Sequence, residues 1–283
     1  MRENKKKDRV GWTAYYTSAV WAKHGTPESA LFLTRTGKIL NWMVTWGGGL
    51  LGLYGNYSVS RLFLLPRHLG INALIEKVDY PQIVELAAGL SARGLEWSGQ
   101  HSGCYLEIDQ TAVISRKKAL LSKAASVPPD YALLATDLLK VNGPELKSLV
   151  LTEAETARPT LLIAEGLTGY LDEQALRRLL QLIREVAACF EDATVLVDLY
   201  LQLNRRDHGR VAFAMTPARW LWRLLRAPMR MFLRDEADIR DLLKQEDFEI
   251  QNLYSSLQLA ELAGLPAPAV NLFYLAELKI AQP

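Results

Sequence analysis

From Gln82 onward the chain alternates short runs of β-branched and apolar residues with longer stretches of helical period. That alternation restricts it to a mostly parallel sheet covered by helices, because parallel strands need a crossover between each pair. Seven runs read as strands: residues 82–86, 104–108, 132–135, 160–165, 194–200, 249–254 and 271–279. The clearest helix lies over residues 172–188. Asp172 is placed to cap it, and Leu176, Leu179, Leu180, Ile183 and Val186 form one apolar stripe.

The chain has 283 residues, enough for one large α/β domain or one domain with an extension. Apolar residues make up 49% and charged residues 23%, a balance that buries a sizeable core without disulfides or metals. A net charge of +2 gives no case for a nucleic-acid partner. The two cysteines, Cys104 and Cys189, form no disulfide framework and no metal-ligand spacing, which fits a reducing, cytoplasmic setting. The first nine residues are polar and basic with no apolar run behind them, so they do not read as a signal peptide. Residues 39–57 carry Trp42, Met43, Trp46, Leu50, Leu51 and Leu53. Asn41, Thr45, Asn56 and the run Gly47-Gly48-Gly49 interrupt them, and an uninterrupted span needs about 20 apolar residues. The stretch therefore reads as a buried or pocket-covering segment, without stable membrane insertion.

Two regions stand outside the alternation. Residues 1–81 read as a mostly helical extension or cap, ahead of a ligand-binding domain over 82–283. Residues 202–234 read as an insertion after the fifth strand, basic and aromatic, with Arg205, Arg206, His208, Arg210, Trp220 and Trp222. Its later apolar residues do not share one helical face, and Pro228 interrupts a continuous helix, which favours a lid over a surface helix. Both regions can cover the edge where an open α/β sheet binds its ligand, beyond the carboxyl ends of the strands.

Four segments at that edge carry chemistry. After the first strand, Glu85 precedes the small residues Ala87, Ala88 and Gly89, which let a backbone turn approach a ligand. The spacing is not G-x-G-x-x-G. A pyrophosphate site disfavours a nearby carboxylate, whereas a ligand bearing a sulfonium and an ammonium tolerates one. After the second strand, Glu107-Ile108-Asp109 offers a carboxylate to both hydroxyls of a ribose, at about the 20-residue distance such folds use. After the third, Asp137 followed by Leu138 suits an adenine amino group and ring, and equally suits a helix cap. After the fourth, Glu165 emerges from an apolar run; it needs a partner, either a ligand amine or a structural salt bridge.

Taken in order, these segments resemble the leucine carboxyl methyltransferase family, which includes many bacterial O-methyltransferases. The resemblance also rests on the stretch from Pro66 to Ile75, on Arg116-Lys117, on Thr136-Asp137-Leu138 and on the stretch from Pro159 to Gly166. It runs over most of the chain from about Val10, where Thr13-Ala14 is similar to a family motif. Three departures stand out. Ala87 replaces the first glycine of Gly-Ala-Gly. Leu90-Ser91-Ala92-Arg93 replaces Leu-Asp-Thr-Arg. Trp21 falls where many bacterial members have Arg.

The resemblance implies a Rossmann-like class I methyltransferase fold, with a seven-stranded mostly parallel sheet, and S-adenosyl-L-methionine as methyl donor, leaving S-adenosyl-L-homocysteine. It implies that Arg67, helped by Lys23, holds the methionine carboxylate. Ala87 and Gly89 line the methionine end, Asp109 takes the ribose, Asp137 and Leu138 the adenine, and Glu165 the ammonium. The expected reaction is methyl transfer to a carboxylate or hydroxyl of a small molecule, as in secondary metabolism. A carboxylate acceptor needs no general base, and a phenol does. Tyr170 and His208 are the candidate catalytic groups, with Arg205, Arg206 and Arg210 as substrate ligands. The alternatives are a protein carboxyl methyltransferase and a non-catalytic module that binds a membrane surface or a partner. A nicotinamide oxidoreductase is disfavoured by the missing G-x-G-x-x-G and by Glu85 and Glu165.

Overall fold

The computed structural model describes residues 11–50, 58, 60–202, 209, 230 and 232–281. Three helices precede the first strand: α1 (Gly11–Lys23), α2 (Arg35–Leu50) and α3 (Leu65–Ile75). A 3-10 turn at Ser29–Phe32 joins the first two, and a π turn at Ser60–Leu64 leads into the third. Pro66 stands in the first turn of α3, where a missing N–H leaves no hydrogen bond unmade.

The sheet then begins. Its strands are β1 (Gln82–Leu86), β2 (Cys104–Asp109), β3 (Tyr131–Ala135), β4 (Thr160–Ala164), β5 (Ala193–Tyr200), β6 (Phe248–Ser255) and β7 (Phe273–Ile280). Helices α4 (Arg93–Gln100), α5 (Thr111–Leu121), α6 (Gly143–Val150) and α7 (Glu173–Ala187) fill the first four connections. Helices α8 (Glu236–Gln245) and α9 (Ser256–Leu262) flank β6. All seven expected strands form. β7 starts two residues later than expected, and the Asn271 side chain just before it accepts from the amide and hydroxyl of Ser256 at 2.9 and 2.8 Å. Asp172 caps α7 by accepting from the Ala175 amide at 3.0 Å, and the stripe from Leu176 to Val186 is buried.

The strand order is β3-β2-β1-β4-β5-β7-β6. The first five strands are parallel, and β7 runs antiparallel between β5 and β6. The chain leaves β1 on one side and returns for β4 on the other, so the order reverses between them. A crevice opens at the carboxyl ends of strands at such a reversal.

Strand alternation sorts the side chains between the two faces. Val84, Leu86, Leu106, Ile108, Leu162, Val195 and Val197 pack in one apolar cluster with α6, α7 and α8. Ile83, Tyr105, Leu161, Ile163 and Leu196 pack in another with residues of α1, α3, α4 and α5. Glu85, Glu107, Asp109 and Asp198 sit an even number of residues from Ile83, Tyr105 and Leu196. The sheet's acids therefore all turn towards the face that α1 and α3 cover.

One expectation is corrected here. Residues 39–57 read as a buried or pocket-covering segment, yet among the described part, 39–46, Ile39, Trp42, Met43 and Trp46 are exposed. Leu40 alone of the large apolar residues there is fully buried, while Val44 is half-buried. The helical period places the four exposed residues on one side of α2, and α1 takes up only the opposite side.

Candidate functional site

A cavity opens at the β1–β4 reversal. Its walls come from the carboxyl ends of β1, β2 and β4, the turn after β3, and the helices α1 and α3. Its floor is the turn after β1. Ala87 and Gly89 both have left-handed backbones, φ 57° and 59°. The path needs residues that tolerate that conformation, and Ala87 tolerates it at a cost of about 1–2 kcal/mol.

Asp109, at the end of β2, holds this turn. Its Oδ2 accepts from the Gly89 amide at 2.7 Å and its Oδ1 from the Gln110 amide at 2.6 Å. Burial pushes its carboxyl up, and the Gly89 and Gln110 amides pull it back down. Each oxygen keeps a lone pair for a further donor. Glu107, two residues earlier, is fully buried instead. It pairs with Lys117 of α5, whose ammonium lies 5.3 Å from the Phe32 ring. Burial pushes the Glu107 carboxyl up to about 7 against the pull of Lys117. Of the expected Glu107-Ile108-Asp109 segment, Asp109 lines the cavity and Glu107 does not.

Behind the turn lies a buried charge network. Arg93 of α4 donates from Nε to Asn72 at 2.6 Å and from one terminal nitrogen to Glu85 at 2.7 Å. Its other terminal nitrogen donates to Glu165 at 2.5 Å. Arg67 of α3 donates from Nε to the other Glu165 oxygen at 2.9 Å, stands 3.2 Å from Asp198, and donates to the Tyr200 hydroxyl. Tyr105 donates to the second Glu85 oxygen at 2.6 Å. Glu165 is thus held well below the carboxylate range: burial opposes this, but Arg93 and Arg67 outweigh it. The His68 imidazole is pushed down by burial and by Arg93. Its Nδ1 lies 2.8 Å from an Arg93 nitrogen, so the neutral ring accepts there. Trp21 stacks on it with ring centroids 4.2 Å apart. Three carboxylates, Glu85, Glu165 and Asp198, therefore face two guanidiniums and a neutral imidazole. One negative charge is left over beside the cavity.

Of the expected ligand residues, Arg67, Glu85, Ala87, Gly89, Asp109, Asp137, Leu138 and Glu165 all line this one cavity. Asp137 caps no helix: its Oδ1 accepts from the Leu139 amide at 3.2 Å within a turn, it pairs with Lys140 at 2.8 Å, and the helix that follows, α6, is capped by Asn142 instead. Glu165 has the salt bridges that the sequence offered as its other reading, and it faces the cavity as well. Lys23 does not reach the cavity. It sits exposed in the last turn of α1, about 200° around the helix from Trp21 at 100° per residue. Tyr170 is at the wall. His208, Arg205, Arg206 and Arg210 lie outside the described residues.

The sequence reading missed the aromatic wall of Tyr16, Trp21, Phe63 and Tyr200, the hydroxyls of Thr13 and Thr17, and the partners Arg93 and Asp198. Asp198 had a signal, an acid inside the apolar run from Ala193 to Tyr200, the same signal that singled out Glu165.

Residues 68–184 match the family model of leucine carboxyl methyltransferases. The chain is 33% identical over 192 residues to a candidate S-adenosyl-L-methionine-dependent methyltransferase of Mycolicibacterium smegmatis, covering 65% of this chain and 60% of that relative. The chain spans between 34% and 60% of the length of the curated relatives it matches first. In three dimensions it is similar to a DUF574 family protein of Streptomyces avermitilis, with TM-score 0.59 and 9% identity over 93% of this chain and 96% of that one. It is also similar to a candidate methyltransferase of Thermobifida fusca, with TM-score 0.57 and 12% identity over 88% and 90%. These likenesses show the fold, a Rossmann-like α/β sheet.

Proposed function

We propose that this chain, whose residues 68–184 match the family model of leucine carboxyl methyltransferases, is an S-adenosyl-L-methionine-dependent O-methyltransferase acting on a carboxylate or hydroxyl of a small molecule. The observation that carries the reading is the excess negative charge beside a left-handed turn. The donor holds one carboxylate, one ammonium and one sulfonium, a net charge of +1. It fits a cluster with one carboxylate more than its cations, where a pyrophosphate does not. When bound, the donor supplies a methyl group already activated by the positive sulfur.

The chain's own residues then bind and orient. Arg67 is placed for the methionine carboxylate and Glu165 for the ammonium. Asp109 is placed for the ribose hydroxyls, with Asp137 and Leu138 at the adenine. The salt bridges of Arg67, Arg93 and Glu165 fix these groups before any ligand arrives, so little reorganisation remains at reaction. Transfer breaks the sulfur–methyl bond and forms an oxygen–methyl bond. A carboxylate acceptor brings no proton to dispose of, while a phenol or alcohol must give one up to a base. Tyr170 at the wall, and His208 in the basic stretch after β5, are the candidates for contact with the reacting oxygen. Arg205, Arg206 and Arg210 of that stretch are candidates for holding a carboxylate. The rings of Tyr16, Trp21, Phe63 and Tyr200 support an acceptor with a flat or apolar body. Residues 1–81 serve in this reading as a cap on the domain that follows. The free thiols of Cys104 and Cys189 support a cytoplasmic setting.

Calorimetry against S-adenosylmethionine, S-adenosylhomocysteine and NAD tests the donor. Binding of NAD with no binding of the first two overturns the reading. A transfer assay with methyl-labelled donor, run against carboxylic acids and phenols, tests the acceptor. A product cleaved by mild base is an ester, and a resistant one is an ether.

A further inference from the structure

Helix α2 is apolar on two sides. Its inner side is fixed against α1. A Cβ on Gly37 would collide with the Tyr15 carbonyl, so only glycine permits that approach, and Leu40 is buried one turn further on. The outer side carries Ile39, Trp42, Met43 and Trp46, at i, i+3, i+4 and i+7, with 59, 60, 39 and 59% of their surfaces exposed. Among the described residues these are four of eight exposed large apolar side chains, and the other four are scattered singly in the sequence. The Trp42 and Trp46 rings stack at 5.6 Å. Arg35 begins the same stripe and Lys38 flanks it, both exposed, and residues 35–50 contain no acid.

We propose that this face of α2 docks the protein on an anionic lipid surface, lying in the plane of the headgroups without crossing the bilayer. Two tryptophans on an apolar stripe, with cations at its end and flank, match what such a helix needs: apolar side chains for the acyl boundary, amphipathic rings for the headgroup level, and positive charge for anionic lipid. No helix among the described residues is long and apolar enough to cross a membrane. A second copy of the chain suits the face less well. Four side chains offer a few hundred Å2, against roughly 800 Å2 per partner in a stable dimer. Two like charges would also meet across a symmetric contact, because a two-fold axis sets each patch against itself.

The test is co-sedimentation of the full chain with vesicles of phosphatidylglycerol and phosphatidylcholine in equal parts, beside vesicles of phosphatidylcholine alone. Binding is expected to the anionic vesicles and to fall with added salt. Arg35→Gln with Lys38→Gln should weaken it about 25-fold, roughly fivefold for each cation near the surface. Trp42→Ser with Trp46→Ser should abolish it. None of these residues lines the cavity, so ligand calorimetry on the variants reports whether each remains folded. If the wild-type chain stays in the supernatant with anionic vesicles, the proposal falls. It falls also if sedimentation velocity shows a dimer that the tryptophan variant converts to a monomer while vesicle binding is unchanged. Equal binding to both vesicle types overturns the electrostatic part.

Discussion

The backbone amide of Gly89 donates to the Asp109 carboxylate at 2.7 Å, tying the turn after β1 to the end of β2. The same carboxylate thus shapes the floor of the cavity and faces into it.

Asp109→Ala removes an acceptor for a ribose and loosens that turn. Affinity for S-adenosylmethionine should fall by about 1.5–3 kcal/mol, the worth of hydrogen bonds to a charged group. Calorimetry on the folded variant measures it, and an unchanged affinity would take Asp109 out of the site.

Ala87 holds a left-handed backbone that glycine adopts freely. Ala87→Gly should leave stability unchanged or raise it by up to about 1 kcal/mol, strain relief being offset by the entropy of the added glycine. Ala87→Val should lose about 1–3 kcal/mol, because a β-branched residue resists that conformation. Urea denaturation of the three proteins ranks them, and valine matching alanine would contradict the strain.

Arg93 neutralises Glu85 and Glu165 in a buried setting. Arg93→Met should cost about 3–5 kcal/mol by leaving buried carboxylates short of a partner. Arg93→Lys, which keeps the charge and loses the fork that reaches both acids, should fall between. A methionine variant as stable as the parent would mean that the network contributes nothing to folding.

The pH dependence divides between groups of opposite sign. His68 is pushed below its ordinary value of 6.5, so below that pH the unfolded chain takes up a proton that the folded one refuses. Glu165 is held below 4.5, so its contribution is present above that value and is lost as pH falls through its folded pKa. Glu107, raised to about 7, takes up its proton first in the folded chain and so works against His68 between about 7 and 4.5. His68→Phe should therefore gain in melting temperature relative to the parent chain as pH drops from 6.5, and both proteins should lose stability as Glu165 protonates below 4.5. A variant whose melting temperature runs parallel to the parent's from pH 7 to 5 would take His68 out of the balance.

The strands and the cavity acids were legible because both depend on local pattern. Period-two alternation sets which side chains share a face, and an acid at the end of an apolar strand stands out by composition. The partners were not legible. Arg93 reaches Glu165 across 72 residues and Arg67 reaches it across 98, and nothing local marks such pairs. Lys23 was expected at the ligand because the family resemblance implies a basic residue of the N-terminal segment beside Arg67, but the helical turn carries it to the far side. The exposed stripe of α2 read as buried for a related reason. Apolar period reveals that a face exists and says nothing of what covers it.

The two faces of the sheet divide stability from chemistry. One side is hydrocarbon alone along Val84, Leu106, Leu162 and Val195, and the other carries every acid of the central strands. A shaved methyl group at Val195 or Leu162 should shift unfolding while leaving ligand affinity where it was. The sheet then acts as a partition, across which the far layer can drift in sequence, or be rebuilt for heat resistance, without retuning the pocket.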